Sequence, residues 1–209
     1  MIEYRLLDDR TEIGMGRIYC IIGKSSTGKD TIYKKLLKNK KLQLNKIVPY
    51  TTRPIREGEE NGVEYFFTNI DTLERLKQEN KIVECRGYQT VHGMWYYYMV
   101  KDDQLDLTQK DYLIIGTLES YKMTRDYFGD DKVCPIYIEV DDGVRLTRAL
   151  LREKKQKSPK YEEMCRRYLA DCQDFSEEKL QEAGIEKRFI NDKLSSCIQE
   201  VILYISGMK

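Results

Sequence analysis

A pair of glycines, a lysine and a threonine form the first group of residues able to do chemistry. In Gly23-Lys24-Ser25-Ser26-Thr27-Gly28-Lys29-Asp30-Thr31, the glycines let the backbone curl so that successive N–H groups point at phosphate oxygens. Lys29 can then reach a transferring phosphoryl group. Such a loop needs a strand before it and a helix after it, whose positive end adds to the N–H groups. Ile18-Tyr-Cys-Ile-Ile22 is a continuous apolar run ended by Gly23 and reads as a buried parallel strand, with a helix expected from about Lys29 to Leu37. Asp30 stands where the strict pattern has Ser or Thr, and Thr31 follows it. A magnesium ion arriving with a nucleoside triphosphate would meet either the Asp30 carboxylate or the Thr31 hydroxyl.

A second group follows in Thr51-Thr52-Arg53-Pro54-Ile55-Arg56-Glu57-Gly58-Glu59-Glu60-Asn61-Gly62-Val63-Glu64-Tyr65-Phe66-Phe67. Pro54 stiffens the link between Arg53 and Arg56, so two planar guanidinium forks can grip one phosphate bidentately, and the Tyr65 phenol adds a donor. This stretch resembles the guanylate kinase signature T-T-R-x-x-R-x-G-E-x-x-G-x-x-Y-x-F, without a gap from Thr51 to Phe67. With the phosphate loop, the resemblance runs from about Arg17 to the C-terminus. It implies an ATP-dependent nucleoside monophosphate kinase acting on GMP, with Gly23 to Thr31 holding ATP and magnesium, and Thr31 as the expected metal contact.

The resemblance also implies that Arg53, Arg56 and Tyr65 hold the GMP phosphate and that Glu84 accepts hydrogen bonds from guanine N1 and N2. Tyr97, in Trp95-Tyr96-Tyr97-Tyr98, aligns with a phosphate-binding tyrosine, although Cys85 to Met94 is about four residues longer than is typical of the family. Pro49 and Met99 stand where the family has serines, and a further carboxylate is replaced near Thr117, leaving Tyr50, Thr117 or Glu119 as substitutes on the base side. Arg148 and Arg152, four apart on an expected helix and so on one face, match an arginine pair before the family's lid. Arg167, or Arg166 after a slip of one, matches the arginine beyond it. These arginines and Lys29 are the expected catalytic groups, since phosphoryl transfer needs positioned cations. Asn191 is either close to the adenine of ATP or, like Asp192, an N-cap of the last helix.

Strands alternating with helices imply a P-loop NTPase-type parallel sheet with helices on both faces. Further strands are expected at Leu113-Ile-Ile115, Cys134 to Val140 and Arg188-Phe-Ile190. Helices are expected at about Glu119 to Phe128, Val144 to Lys155 and Asp192 to Ile205. Between about 48 and 100, short strands at Glu64 to Phe67, Ile82 to Glu84 and Trp95 to Val100 surround a helix at Asp71 to Glu79, which reads as a small mixed β insertion binding the acceptor. A basic segment, Glu153 to Lys160, reads as a lid or a solvated loop within a lid region of about 153–167. One domain is expected over 17–209, its core at about 17–47, 101–152 and 168–209, after an N-terminal extension of 1–16 in which translation can also start at Met15.

With 209 residues and a formal charge of +1, the chain has no overall field to draw it to nucleic acid or a membrane, so its anion chemistry is local. No apolar run approaches the roughly 18 residues of a membrane span. No C-x-x-C pair accompanies the six cysteines, and the only histidine is His92 in the lengthened loop, so a zinc site is not expected. A cytoplasmic enzyme with GMP and ATP as small-molecule partners is the leading reading. A P-loop kinase with a drifted acceptor and a non-catalytic guanylate-kinase-like binding module are the alternatives, and oligomeric state stays open.

Overall fold

The computed structural model describes residues 16–90 and 93–208, so the extension before Gly16, the alternative start at Met15 and His92 lie outside the described residues. In chain order the elements are β1 (Ile18–Ile22), α1 (Lys29–Leu37), β2 (Asn45–Lys46), β3 (Tyr50–Thr51), β4 (Phe66–Phe67), α2 (Ile70–Gln78), β5 (Ile82–Thr90) and β6 (Gly93–Val100). There follow β7 (Tyr112–Ile115), α3 (Leu118–Phe128), β8 (Val133–Glu139), α4 (Asp142–Lys154), α5 (Tyr161–Asp174), α6 (Glu177–Glu182), β9 (Arg188–Ile190) and α7 (Leu194–Gly207).

Five strands form one parallel sheet in the order β2-β7-β1-β8-β9. β1 is its centre, and every residue of it is fully buried. Alternation along a pleated strand sends Ile18, Cys20 and Ile22 to one face and Tyr19 and Ile21 to the other. The first set packs with Leu118 and Tyr121 of α3 and Leu180 of α6. The second packs with Ile32 and Leu36 of α1 and Cys197, Val201 and Ile205 of α7. Helices thus cover both faces, the fold class expected from the alternating pattern. Among the described residues no helix is long and apolar enough to cross a membrane.

The 48–100 region forms a separate mixed sheet, β4-β3-β6-β5, whose core joins Leu73 and Leu76 of α2 to Tyr98 and Val100. Three local expectations change. Glu64 and Tyr65 are not in a strand, because Gly62, at φ 84, donates its N–H back to the Tyr65 carbonyl at 2.8 Å and curls the chain, leaving only β4. The lengthened stretch after Glu84 is mostly a two-stranded ribbon, with Arg86 opposite Tyr97 and Tyr88 opposite Trp95; such aromatic cross-strand pairs favour pairing over a loop. The basic segment is shortened as well, since α4 runs to Lys154 and α5 starts at Tyr161.

The start of the last helix also differs. Lys193 occupies the N-cap position of α7 without a side-chain cap, so neither Asn191 nor Asp192 caps it. The Asn191 side chain is turned instead toward the phosphate loop. β2, β3 and α6 were not expected: two strands of two residues are too short for periodicity to register.

Because β1 has no exposed side, trimming it leaves a cavity. Ile21→Ala is expected to cost about 2–5 kcal/mol, read as a lowered midpoint in urea unfolding.

Candidate active site

The loop after β1 bends where side chains cannot fit. A Cβ on Gly23, at φ 151, would meet the Ile138 carbonyl oxygen at 2.5 Å, and a Cβ on Gly28, at φ 88, would meet the Asn191 amide nitrogen at 2.5 Å. Ser26 lies between them at φ 66, in the left-handed region that helps turn successive N–H groups into an anion-binding concavity. The buried Asn191 donates from Nδ2 to the Thr27 carbonyl at 2.7 Å, and Thr27 donates its hydroxyl to the Lys24 carbonyl at 2.9 Å. Lys29 Nζ donates to the same Lys24 oxygen at 3.3 Å. Burial, reinforced by Arg152 and Arg145, pushes the Lys29 pKa down, against the pull of Asp30 and Asp171.

Two clefts open over this loop. One is lined by Ser26, Gly28, Asp30, Thr31, Lys34, Arg148 and Arg152; both Asp30 and Thr31 are exposed there. Ser25, Ser26, Arg152 and Arg167 lie on the other. Arg148 and Arg152 therefore share a wall, as their spacing implied, and Arg148 Nη2 donates to the Asn191 carbonyl at 3.2 Å. Arg167 is drawn to Glu163 at 2.7 Å, and Arg166 pairs with the same carboxylate at 2.7 Å. These bonds, Arg166 first, hold Glu163 down to about 2.

Sequence reasoning passed over the charges that fasten α4 and α5 to each other and to this loop. Arg145, buried to 1% exposure, donates to Asp142 at 3.0 Å and to Asp171 at 3.2 Å and stacks over the Tyr168 ring at 4.0 Å. Asp171 also accepts the Ser25 backbone N–H at 2.7 Å, and Lys24 pairs with Asp142 at 3.2 Å. A carboxylate oxygen thus takes a loop donor of the kind a phosphate oxygen takes. Arg145 lies three before Arg148, a spacing readable on one helix; Asp171 carries no signal in the sequence because its partners are far away along the chain.

On the mixed sheet, Arg53 is buried, with Tyr65 and Phe67 ring centroids each 5.3 Å from its guanidinium carbon, and it meets the Tyr97 hydroxyl. The Tyr65 and Tyr97 rings are 5.6 Å apart, so three of the expected phosphate ligands come together. Arg56 is exposed, and its backbone N–H, like both Arg53 Nη atoms, bonds to Glu59 at 2.8 Å. Glu84 is buried and engaged by Arg86 at 2.8 Å. Burial pushes its carboxyl up while Arg86 opposes the shift. The Thr117 hydroxyl caps α3 by accepting the Ser120 N–H at 3.2 Å, and the Tyr50 hydroxyl donates to Asp102 at 2.6 Å, so both substitutes already have structural bonds. Buried polar atoms are normally paired. Four such side-chain atoms lack a partner among the described residues, and three of them, Ser26 Oγ, Arg53 Nε and Asn191 Oδ1, belong to this loop and to the Arg53 cluster.

A glycine-bounded loop between a buried parallel strand and a helix, in a sheet ordered β2-β7-β1-β8-β9, defines a P-loop NTPase-type α/β fold. The guanylate kinase family model matches residues 15–98. A guanylate kinase of Porphyromonas gingivalis is 26% identical over 90% of this chain and 95% of its own length. One from Rhodopirellula baltica is 40% identical over 39% of this chain, which spans only 38% of that protein. The crystal structure of guanylate kinase from Anaplasma phagocytophilum shares the fold at a TM-score of 0.59 and 20% identity, over 92% of this chain and 85% of that one. Residues 15–98 are thus similar in sequence to the guanylate kinase family, and the whole fold is similar to that of a guanylate kinase.

The Arg53–Glu59 pair makes a pH prediction. Hydrogen bonds from Arg53 hold the Glu59 carboxyl down to about 2, below its ordinary 4.5. A depressed carboxyl contributes stability above the unfolded value and loses it as pH falls through the folded one. The stability gap between the wild type and Glu59→Gln, read by urea titration, should therefore be full above about pH 4.5 and shrink toward pH 2; a gap constant across that window would count against the pair.

Proposed function

We propose that this chain transfers the γ-phosphoryl group of MgATP to GMP, yielding ADP and GDP. The observation that carries the reading is the joint presence of the seated phosphate loop and the signature from Thr51 to Phe67, both inside the segment that matches the family model. In this reading Gly23 to Thr31 hold the ATP phosphates, with Asn191 bracing the loop beside them, and Arg53, Arg56, Tyr65 and Tyr97 hold the GMP phosphate. Glu84 reads the base, and Thr117 lies at the base pocket through its contact with Arg86.

Transfer spreads charge over the equatorial oxygens of the moving phosphoryl group, so positioned cations do most of the work. Lys29, Arg148, Arg152 and Arg167 are the proposed set, supported by their lining of the two clefts or by burial beside them. Magnesium fits as a companion of the triphosphate, because the Thr31 hydroxyl and the Asp30 carboxylate offer oxygen ligands on the cleft wall. The ion would neutralise phosphate charge there. Among the described residues no group of three or more His, Cys, Asp or Glu side chains is placed to hold an ion without the substrate. Small-molecule substrates, with neither nucleic acid nor membrane as partner, and a cytoplasmic setting in which the free cysteines stay reduced, complete the proposal.

The direct test is release of ADP from MgATP with GMP, AMP, CMP and UMP offered separately. Turnover with GMP and little with AMP is expected; none with GMP from folded protein would sink the reading. Lys29→Ala should lower kcat by about 10²–10³-fold while the thermal transition is kept. Asn191→Ala, which orphans the Thr27 carbonyl, should weaken MgATP binding by about tenfold in calorimetric titration and leave the GMP affinity unchanged.

A further inference from the structure

Glu84 and Arg86 are two apart on β5, so their side chains leave the same face of the strand. The guanidinium lies along the carboxylate as a fork, with Nε to Oε2 at 2.8 Å and Nη2 to Oε1 at 3.2 Å. The remaining nitrogen, Nη1, is 3.5 Å from the Thr117 hydroxyl at the head of α3. A fork seated in this way uses the carboxylate edge that accepts two parallel N–H bonds.

Guanine carries the same chemical unit. Its N1–C2–N2 edge is a planar guanidine fragment with two parallel N–H donors, and the carboxylate edge accommodates one such fork at a time. Both β5 residues are buried or nearly so, with side-chain exposures of 6% for Glu84 and 16% for Arg86, so exchange of one fork for the other is not diluted by bulk water.

We propose that Arg86 is a specificity-determining residue that competes with guanine for Glu84: GMP binds only as the Arg86 fork swings off the carboxylate toward Thr117. The proposal rests on the GMP reading above. Its consequence is quantitative, because apparent affinity falls by the fraction of molecules in which the carboxylate edge is free. With that edge free in about one molecule in ten, GMP binds about tenfold more weakly than the carboxylate alone would allow.

The test compares the wild type with Arg86→Ala, using GMP and IMP as acceptors and calorimetric GMP titration alongside turnover. IMP keeps the N1 donor and lacks the N2 amine, so it gains less from a freed carboxylate. Glu84 is faced by Arg86 from its own strand, by Glu119 from α3 and by Cys20 from β1. Burial raises its carboxyl, so the measurements are made at pH 8.5 to keep it ionised in the variant. The expected result is a KM and Kd for GMP about tenfold lower, a gain for IMP of no more than about threefold, and an unchanged KM for ATP. An unchanged or raised KM for GMP, or GMP and IMP moving together, would overturn it while leaving the GMP reading intact. Failure of both proteins to bind or turn over GMP would remove the GMP reading and this proposal with it. Arg86→Lys keeps the charge beside Glu84 without the fork and serves, under the same outcomes, if the alanine variant loses its fold.

Discussion

The constraint on which the rest depends is the seating of a tightly bent backbone loop on the end of a buried strand. Gly23 passes so close to the Ile138 carbonyl, and Gly28 to the Asn191 amide, that neither position has room for a side chain. That closeness lets the Asn191 amide reach the Thr27 carbonyl at 2.7 Å, which fixes the loop from beneath while its upper side faces the clefts. The burial of β1 from Ile18 to Ile22 makes the seat rigid, since helices on both faces hold the strand in place. A loop so held has little conformational entropy left to lose, which suits the phosphate binding proposed for it.

Charge is managed locally. The chain is nearly neutral, and the buried Arg53 and Arg145 and the half-buried Arg86 are matched by nearby carboxylates: Arg53 by Glu59, Arg86 by Glu84, Arg145 by Asp142 and Asp171. An unpaired buried charge would cost several kcal/mol, so these pairs let arginines stand inside the fold without unfolding it. Under the proposed function they also set the terms for substrate binding, because an incoming phosphate or base would exchange with an internal partner. Asp171 on the Ser25 N–H and Arg86 on Glu84 are the two contacts at which that exchange would take place.

Legibility followed the range of the interactions. The bounds of α1 and β9 were readable because a glycine loop and a short apolar run mark them, and the two-sided burial of β1 was readable from its unbroken apolar run. The β5–β6 ribbon was misread as a loop, since Gly87 and Gly93 interrupt the apolar pattern while cross-strand aromatics, Tyr88 beside Trp95, hold the pairing. The turn at Gly62 and the ends of the basic segment are set by hydrogen bonds that no periodicity records.

The sequence alone determined the residue types and local order of the phosphate loop and of the Arg53 segment, because their chemistry lies in short, contiguous patterns. The Glu84–Arg86 pair was not legible there, because the strand expected at Ile82 to Glu84 stops short of Arg86, and only the longer β5 puts both on one face. Only the tertiary structure decided what those side chains meet. Asn191 reaches the loop from 164 residues away, and Asp171 reaches Ser25 from 146. The physical reason is that sheet order, not sequence distance, brings the end of β9 and helices α4 and α5 over the end of β1, and no local preference encodes that juxtaposition.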